Sequence, residues 1–383
     1  MRLQKIKIIM RYKIERTFEY NKDNGPFESV SNKNNKIKKI LGKYGVRTDF
    51  FGFKTALPIG VAAGTIHNLR YMEASMKDGF ELLTWKTFRS EHRLAHRNNG
   101  DYLGHNIIFL PSETISKKDM GALRTGYIKQ QDTPEFVSVT NSVGMPSPHP
   151  LDWVNMVKDG QKLAKKYNKA IITSVVGTAR KDDDIFALAR DYAFLARFAE
   201  LAGEKIIELN LSCPNVSGKE GVIYKDIKSS KIIAKTAREA LRDKNTKLLL
   251  KLGYANKGFY KRFLKATSEF IDGVVAINTI PMKVVDKKGK QALPGGLSSG
   301  TCGYAILDRA VEAVENLAKA KKELSLKNVK IIGCGGVTTP DGFMRHINAG
   351  AEFVMVATAS LFNPQLPLQL AEYLAENKIK KRI

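Results

Sequence analysis

The sequence predicts an α/β chain folded as a (β/α)8 TIM barrel, with an N-terminal extension and a long excursion after strand two. Three observations point there. Short apolar, β-branched runs alternate with longer amphipathic stretches, which is the rhythm of repeated βα units. Eight such runs can be picked out along the chain. Polar and glycine residues also collect at the ends of these runs, and in a parallel barrel all those ends open on one face. With 383 residues, 43% of them hydrophobic, the chain can bury one large core, and single α/β barrels commonly run to about 250 residues or more.

Residues 1–50 are polar and basic around a loop-like centre, Asn21-Lys22-Asp23-Asn24-Gly25-Pro26, and read as an N-terminal arm or cap. Residues 51–383 read as the barrel. Its candidate strands lie near Leu57–Ala63, Leu82–Lys86, Ile171–Val176, Ile206–Leu211, Leu248–Leu252, Gly273–Ile277, Val329–Gly333 and Phe353–Ala357. Between them, helical patterns cover Asp184–Ala202, Ser229–Arg242, Tyr260–Glu269, Ala305–Leu324 and Asp341–Ala349. The interval from Lys86 to Ile171 is too long for one helix and its turns. Residues 88–168 therefore read as an excursion, with a strand-like run at Phe136–Thr140 and a loop at Asn141-Ser142-Val143-Gly144-Met145-Pro146. Long insertions at the carboxyl ends of barrel strands are where such folds build their sites, so the excursion is expected to cover the mouth.

Composition narrows the partners. The formal charge of +25 comes from lysines spread over the whole chain, with no basic stretch interleaved with stacking aromatics. A lysine-rich solvated surface is the expectation, and no nucleic acid partner. The early apolar run Ile8-Ile9-Met10 is bracketed by Lys7 and Arg11, far short of the roughly 20 residues a bilayer requires. No secretory apolar stretch is present either. Cys213, Cys302 and Cys334 show neither metal-ligand spacing nor an even disulfide framework, which suits a reducing cytoplasm.

Two strand-end segments carry chemistry. In Ile331-Ile332-Gly333-Cys334-Gly335-Gly336-Val337 a strand feeds a glycine turn before a helix. Glycine lets backbone N–H groups approach an anion closely. The eighth strand ends nearby in sequence at Ala357-Thr358, and the loops after strands seven and eight are the usual phosphate site of such barrels. The second segment is Glu208-Leu209-Asn210-Leu211-Ser212-Cys213-Pro214-Asn215-Val216-Ser217-Gly218-Lys219, a strand that breaks at proline into a flexible loop. A cysteine there differs from a core cysteine, because access and thiolate fraction decide whether it can act as a base. Cys302 and Cys334 read as small buried hydrophobes. The flanking Asn210 and Asn215 offer uncharged donors and acceptors suited to a planar, amide-rich ligand.

The segment Asn210–Lys219 closely resembles the active-site motif of class 1 dihydroorotate dehydrogenases, the soluble kind with a cysteine base. The resemblance covers roughly residues 50–365. It takes in Gly60-Val61-Ala62-Ala63-Gly64, Thr84-Trp85-Lys86-Thr87, Asn141–Pro146, Lys251-Leu252, Asn278-Thr279, Gly295-Gly296-Leu297-Ser298 and Gly335-Gly336, in the family's order. The resemblance implies FMN as cofactor and oxidation of (S)-dihydroorotate to orotate in pyrimidine biosynthesis. Cys213 would take the C5 proton while hydride passes from C6 to flavin N5. Lys86, Asn141, Val143, Gly144, Met145, Asn210, Asn215, Asn278 and Thr279 would hold the substrate. Ala62, Ala63, Gly64, Lys86, Thr87, Ser174, Asn210, Lys251, Asn278, Gly300, Gly335, Gly336, Ala357 and Thr358 would hold FMN, with Lys251 beside the flavin N1 and O2. The chain departs from the family pattern at Gln130-Gln131, Ser147 and Ala357, in the length of the excursion, and by an insertion around Gly295–Gly300 that leaves Gly300 and Gly303 as alternative phosphate contacts.

Two other flavin enzymes remain as alternatives. A dihydropyrimidine dehydrogenase would act on a ligand without a carboxylate and leave Lys86 without an anionic partner. A tRNA-dihydrouridine-synthase-like enzyme would use the positive charge for RNA, but that family has Gly-Cys-Pro where this chain has Leu-Ser-Cys-Pro-Asn. A homodimer is the family expectation. The electron acceptor is open among fumarate, NAD through a partner subunit, and a quinone.

Overall fold

A computed structural model describes residues 10–28, 31–42, 48–96, 105–127, 134–180, 184–212 and 219–377. Eight parallel strands close into a barrel. In chain order they are Ile59–Ile66, Leu82–Trp85, Ala170–Val175, Ile206–Asn210, Lys247–Leu252, Gly273–Ala276, Lys330–Cys334 and Phe353–Val356. Closure comes where strand eight pairs with strand one, Val354 opposite Ile59 and Met355 opposite Gly60. The predicted strands therefore hold in number, order and place. Strand one runs further than predicted, to Ile66, which matters for the site below.

Side-chain alternation divides each strand between two cores. Leu82, Ile172, Ile206, Leu249, Val275, Ile332 and Phe353 fill the barrel interior. Phe50, from the hairpin Thr48–Phe50/Phe53–Thr55, closes the interior with its ring 4.8 Å from that of Phe353. Neighbouring residues such as Leu83, Ile171, Ile207 and Leu250 pack outward with the helix layer.

All five predicted helices form, at Ile185–Leu201, Ile227–Ala240, Lys257–Thr267, Leu307–Glu323 and Pro340–Asn348. Asp184 caps the first by accepting from the Ala187 N–H, and Thr339 with Pro340 starts the last, both as side-chain chemistry favours. Pro150–Tyr167, which fell inside the predicted excursion, is the barrel's own helix between strands two and three. The excursion thus ends near His149.

The mouth is covered by a five-stranded sheet in the order Ile107–Leu110, Ser138–Asn141, Ser298–Gly303, Ile280–Val285, Leu123–Thr125. Three strands come from the excursion after strand two and two from a second excursion after strand six. Only the first excursion was expected. Ser298-Ser299-Gly300-Thr301-Cys302-Gly303 has little strand propensity of its own. It is held by pairing on both sides, with Asn141 opposite Gly300 and Gly300 opposite Pro281.

The described part of the N-terminal arm is an integral layer. Arg11, itself buried, bonds both carboxylate oxygens of buried Asp78 at 3.1 and 3.2 Å, and Lys33 reaches the same carboxylate at 2.7 Å. The helix Asn34–Gly42 packs along the helix Leu366–Glu376, with Lys36 and Glu372 paired at their edge.

A second buried pair lies at the opposite end of the barrel from the mouth, where Lys169 and Glu81 precede strands three and two. Their charges meet at 2.8 Å, and burial pushes the Glu81 carboxyl up and the Lys169 ammonium down. Removing one partner strands the other. Lys169→Met is expected to cost about 3 kcal/mol, read as a lower urea midpoint at unchanged slope. An unchanged midpoint would show that the pair contributes nothing.

Candidate active site

The site is built from the carboxyl ends of the strands. A hydrogen-bond chain crosses four of them. Asn278 Nδ2 donates to Asn210 Oδ1 at 3.2 Å, and Asn210 Nδ2 donates to Thr87 Oγ1 at 3.1 Å. Thr87 and Ser174 are 3.1 Å apart, and Ser174 Oγ donates to Glu208 Oε1 at 2.8 Å. Because the Ser174 proton goes to the carboxylate, Thr87 donates to Ser174, and the chain runs in one direction from Asn278 to Glu208. Such a network fixes which face each asparagine amide presents.

Beside it lies Lys251, 3% exposed, donating to Cys334 Sγ at 3.2 Å. Burial alone would pull this ammonium down, but Cys334 and Glu208 outweigh it and hold Lys251 above the usual lysine range. A permanent positive charge therefore sits inside the barrel mouth.

Two cavities meet here and share Ala63, Asn278, Thr279, Cys302, Ala357 and Thr358 as walls. The first brings together Gly64, Lys86, Thr87, Asn141, Val143, Gly144, Met145 and Asn210. The second gathers Ala62, Lys251, Gly303, Cys334, Gly335 and Gly336. The turn at Gly335 and Gly336 has φ of +116° and +82°, and a Cβ on Gly336 would lie 2.2 Å from Leu307 Cα. Only glycine fits there. The Thr279 hydroxyl, on the wall common to both cavities, is buried with no hydrogen-bond partner among the described residues.

Among the described residues, the predicted site residues converge on these two walls except Ser174 and Gly300. Ser174 is on neither wall and acts through Thr87 and Glu208. Gly300 lies inside the cap sheet, where its carbonyl accepts from Asn141 Nδ2 at 3.2 Å. It is Gly303, three residues further along the same strand, that reaches the second cavity. The sequence pattern could not place Gly300 because the register of that strand is set by partners far away in the chain. Cys213 and Asn215 lie outside the described residues, as do Gln130 and Gln131.

Other wall residues were not foreseen. Cys302, a core residue by its sequence pattern, is half-buried between Asn141 and Thr358 and lines both cavities. Burial pushes its thiol up to about 11, so it stays protonated. Phe18, from the arm helix Phe18–Asn24, and His67, just after strand one, close the far end of the first cavity. Extending strand one to Ile66 would have exposed His67 as a strand-end residue. Phe18 carries no comparable signal, because its place depends on how the arm folds back.

The Gly335 turn has its own support. His346 Nε2 is 2.9 Å from the Gly335 carbonyl oxygen, and its ring is buried, with its pKa lowered to about 4. Burial is the main cause. A histidine depressed on folding contributes stability that is complete above its unfolded value near 6.5 and is lost as pH falls toward 4. Between pH 7 and pH 5 the wild type should lose about 2 kcal/mol more than His346→Gln, measured by urea unfolding. Equal losses would contradict a buried neutral imidazole.

Among the described residues, no helix is long and apolar enough to cross a membrane, and no cluster of three or more His, Cys, Asp or Glu could hold a metal ion.

Comparison with known proteins identifies the family. The family model for dihydroorotate dehydrogenase matches residues 120–376. A dihydroorotate dehydrogenase of Dictyostelium discoideum is 32% identical over 370 residues, covering 94% of this chain and 95% of that protein. The catalytic subunit of dihydroorotate dehydrogenase B (NAD(+)) from Pyrococcus furiosus is 30% identical over 240 residues, covering 62% and 71%. Both agree with the class 1 resemblance of the strand-four motif. The fold also matches a solved DHODH from Eimeria tenella in complex with ferulenol, with a TM-score of 0.65 at 16% identity over 87% of this chain and 85% of that one. The chain belongs to the dihydroorotate dehydrogenase family, oxidoreductases that act on CH–CH groups.

Proposed function

We propose that this protein oxidises (S)-dihydroorotate to orotate, with Cys213 as the base and FMN as its cofactor. The observation that carries the reading is the meeting of Lys86 and three asparagine amides on one cavity that opens onto a second cavity holding Lys251 and the Gly335-Gly336 turn.

The residues of the second cavity suit FMN. Lys251 is a buried cation with space beside it, as an anionic reduced flavin needs. The Gly335-Gly336 turn is a tight backbone turn of the kind that cradles phosphate, and Thr279 has a buried hydroxyl still to be bonded. When bound, FMN supplies the two-electron acceptor for the reaction.

The chain's own groups do the rest. Asn141, Asn210 and Asn278 offer both amide donors and carbonyl acceptors, matching the alternating C=O and N–H edge of a dihydropyrimidine. Asn210 is prevented from flipping by its bonds to Thr87 and Asn278. Lys86 provides the cation for the substrate carboxylate, which favours dihydroorotate over a dihydropyrimidine lacking that group. Cys213 removes the proton from C5. The cap sheet and the arm residue Phe18 limit water at the cavity, and exclusion of water strengthens these electrostatic contacts.

The test is product formation. FMN-loaded protein given (S)-dihydroorotate and an artificial electron acceptor should release orotate, and one FMN per chain should be recovered after heat denaturation. Loaded protein that releases no orotate would overturn the reading.

A further inference from the structure

At the end of the first cavity beneath the arm, one polar side chain is left without a function by the account above. His67 is only 8% exposed, lines the cavity, and has no hydrogen-bond partner at either ring nitrogen among the described residues. Native interiors rarely bury a donor and an acceptor together unmet. The ring is held in an aromatic cage. Its centroid is 5.0 Å from Phe18 and 4.8 Å from Tyr71, both edge-on, and 6.5 Å from Tyr12. The Lys86 ammonium lies 5.4 Å from the centroid of the same Phe18 ring. One aromatic ring is thus shared as a neighbour by the imidazole and the cation assigned to the substrate carboxylate.

We infer that His67 is a second recognition residue for the ligand's carboxylate, donating a ring N–H to it beside Lys86. This rests on reading the cavity as the dihydroorotate site. A carboxylate presents about four lone-pair positions, more than one ammonium satisfies. Lysine supplies charge on a flexible stem, whereas a caged imidazole supplies direction. The groups facing His67 are Lys86 from the end of strand two, Tyr71 from the following helix, and Tyr12, Phe18 and Lys22 from the arm. Burial, then the Lys86 and Lys22 charges, push its pKa down, so the ring arrives neutral, with one N–H to give. A ligand without the carboxylate would leave that N–H buried and unmet, and would be disfavoured for that reason.

The test separates recognition from packing. His67→Phe keeps a ring in the aromatic cage and removes both nitrogens. Orotate and uracil, which differ by the carboxylate, are titrated into the FMN-loaded wild type and variant, following the flavin spectrum, with flavin content and Tm measured on the same samples. Orotate Kd is expected to rise about tenfold or more while uracil Kd stays within about twofold, as for one lost hydrogen bond to a charged group. KM for dihydroorotate should rise more than kcat falls. His67→Gln, which keeps an N–H donor, should recover part of the orotate affinity. Orotate and uracil weakening equally, or neither weakening, would overturn the role. If His67→Phe does not fold, the same comparison on His67→Leu decides it. Wild-type protein whose flavin ignores orotate would instead overturn the reading of the cavity itself.

Discussion

Cys213→Ala is expected to slow flavin reduction by dihydroorotate by about 10²- to 10⁴-fold, the usual contribution of a positioned general base, with FMN still bound. The size of the effect follows from how poorly the other cysteines and the asparagines would replace it. Abstraction of a proton from carbon needs a group able to hold it, and the other two cysteines are unsuited. Cys302 lies on the cavity wall, but burial pushes its thiol up to about 11. Cys334 faces the barrel interior and takes the Lys251 hydrogen bond. The asparagines cannot act as bases. Anaerobic stopped-flow reduction of wild type and variant measures the ratio directly. Equal rates would remove Cys213 from the mechanism.

Lys251→Met is expected to lower the reduction rate by about 10²- to 10³-fold, because a buried preorganised charge is lost where negative charge develops. Stability should fall as well, by on the order of 3 kcal/mol, since Glu208, buried in the barrel interior, loses the lysine charge it faces. The two losses can be separated. Lys251→Met combined with Glu208→Gln removes the orphaned charge while an amide oxygen still accepts from Ser174. This double variant should regain most of the stability and none of the rate. A double variant that regained both would make Lys251 a structural residue.

The barrel was legible because its strands are buried on both faces and read as short apolar runs, such as Leu248-Leu249-Leu250, punctuated by polar and glycine residues. Once eight runs were in place, topology did much of the remaining work. A polar residue after any strand has to face the same mouth, so strand order alone brings Lys86, Asn210, Lys251, Asn278 and Gly335 together. The cap sheet was not legible, since Ser298–Gly303 is a strand only through its neighbours. The helix Pro150–Tyr167 was hidden by its position after an irregular stretch, although His149 and Pro150 mark its start. Phe18 and His67 were missed for a related reason. The arm is anchored by Arg11 on Asp78, by His105 on the Ile14 carbonyl, and by the Phe18 N–H on Asn106 Oδ1. These contacts join the arm to two distant parts of the chain, and no local pattern encodes them.

The central claim is most directly tested by the visible spectrum of the FMN-loaded protein under anaerobic conditions, recorded before and after adding dihydroorotate, with dihydrouracil in a parallel cuvette. The account predicts that dihydroorotate bleaches the flavin band and dihydrouracil leaves it intact. A band bleached by dihydrouracil alone, or by neither compound, would contradict it.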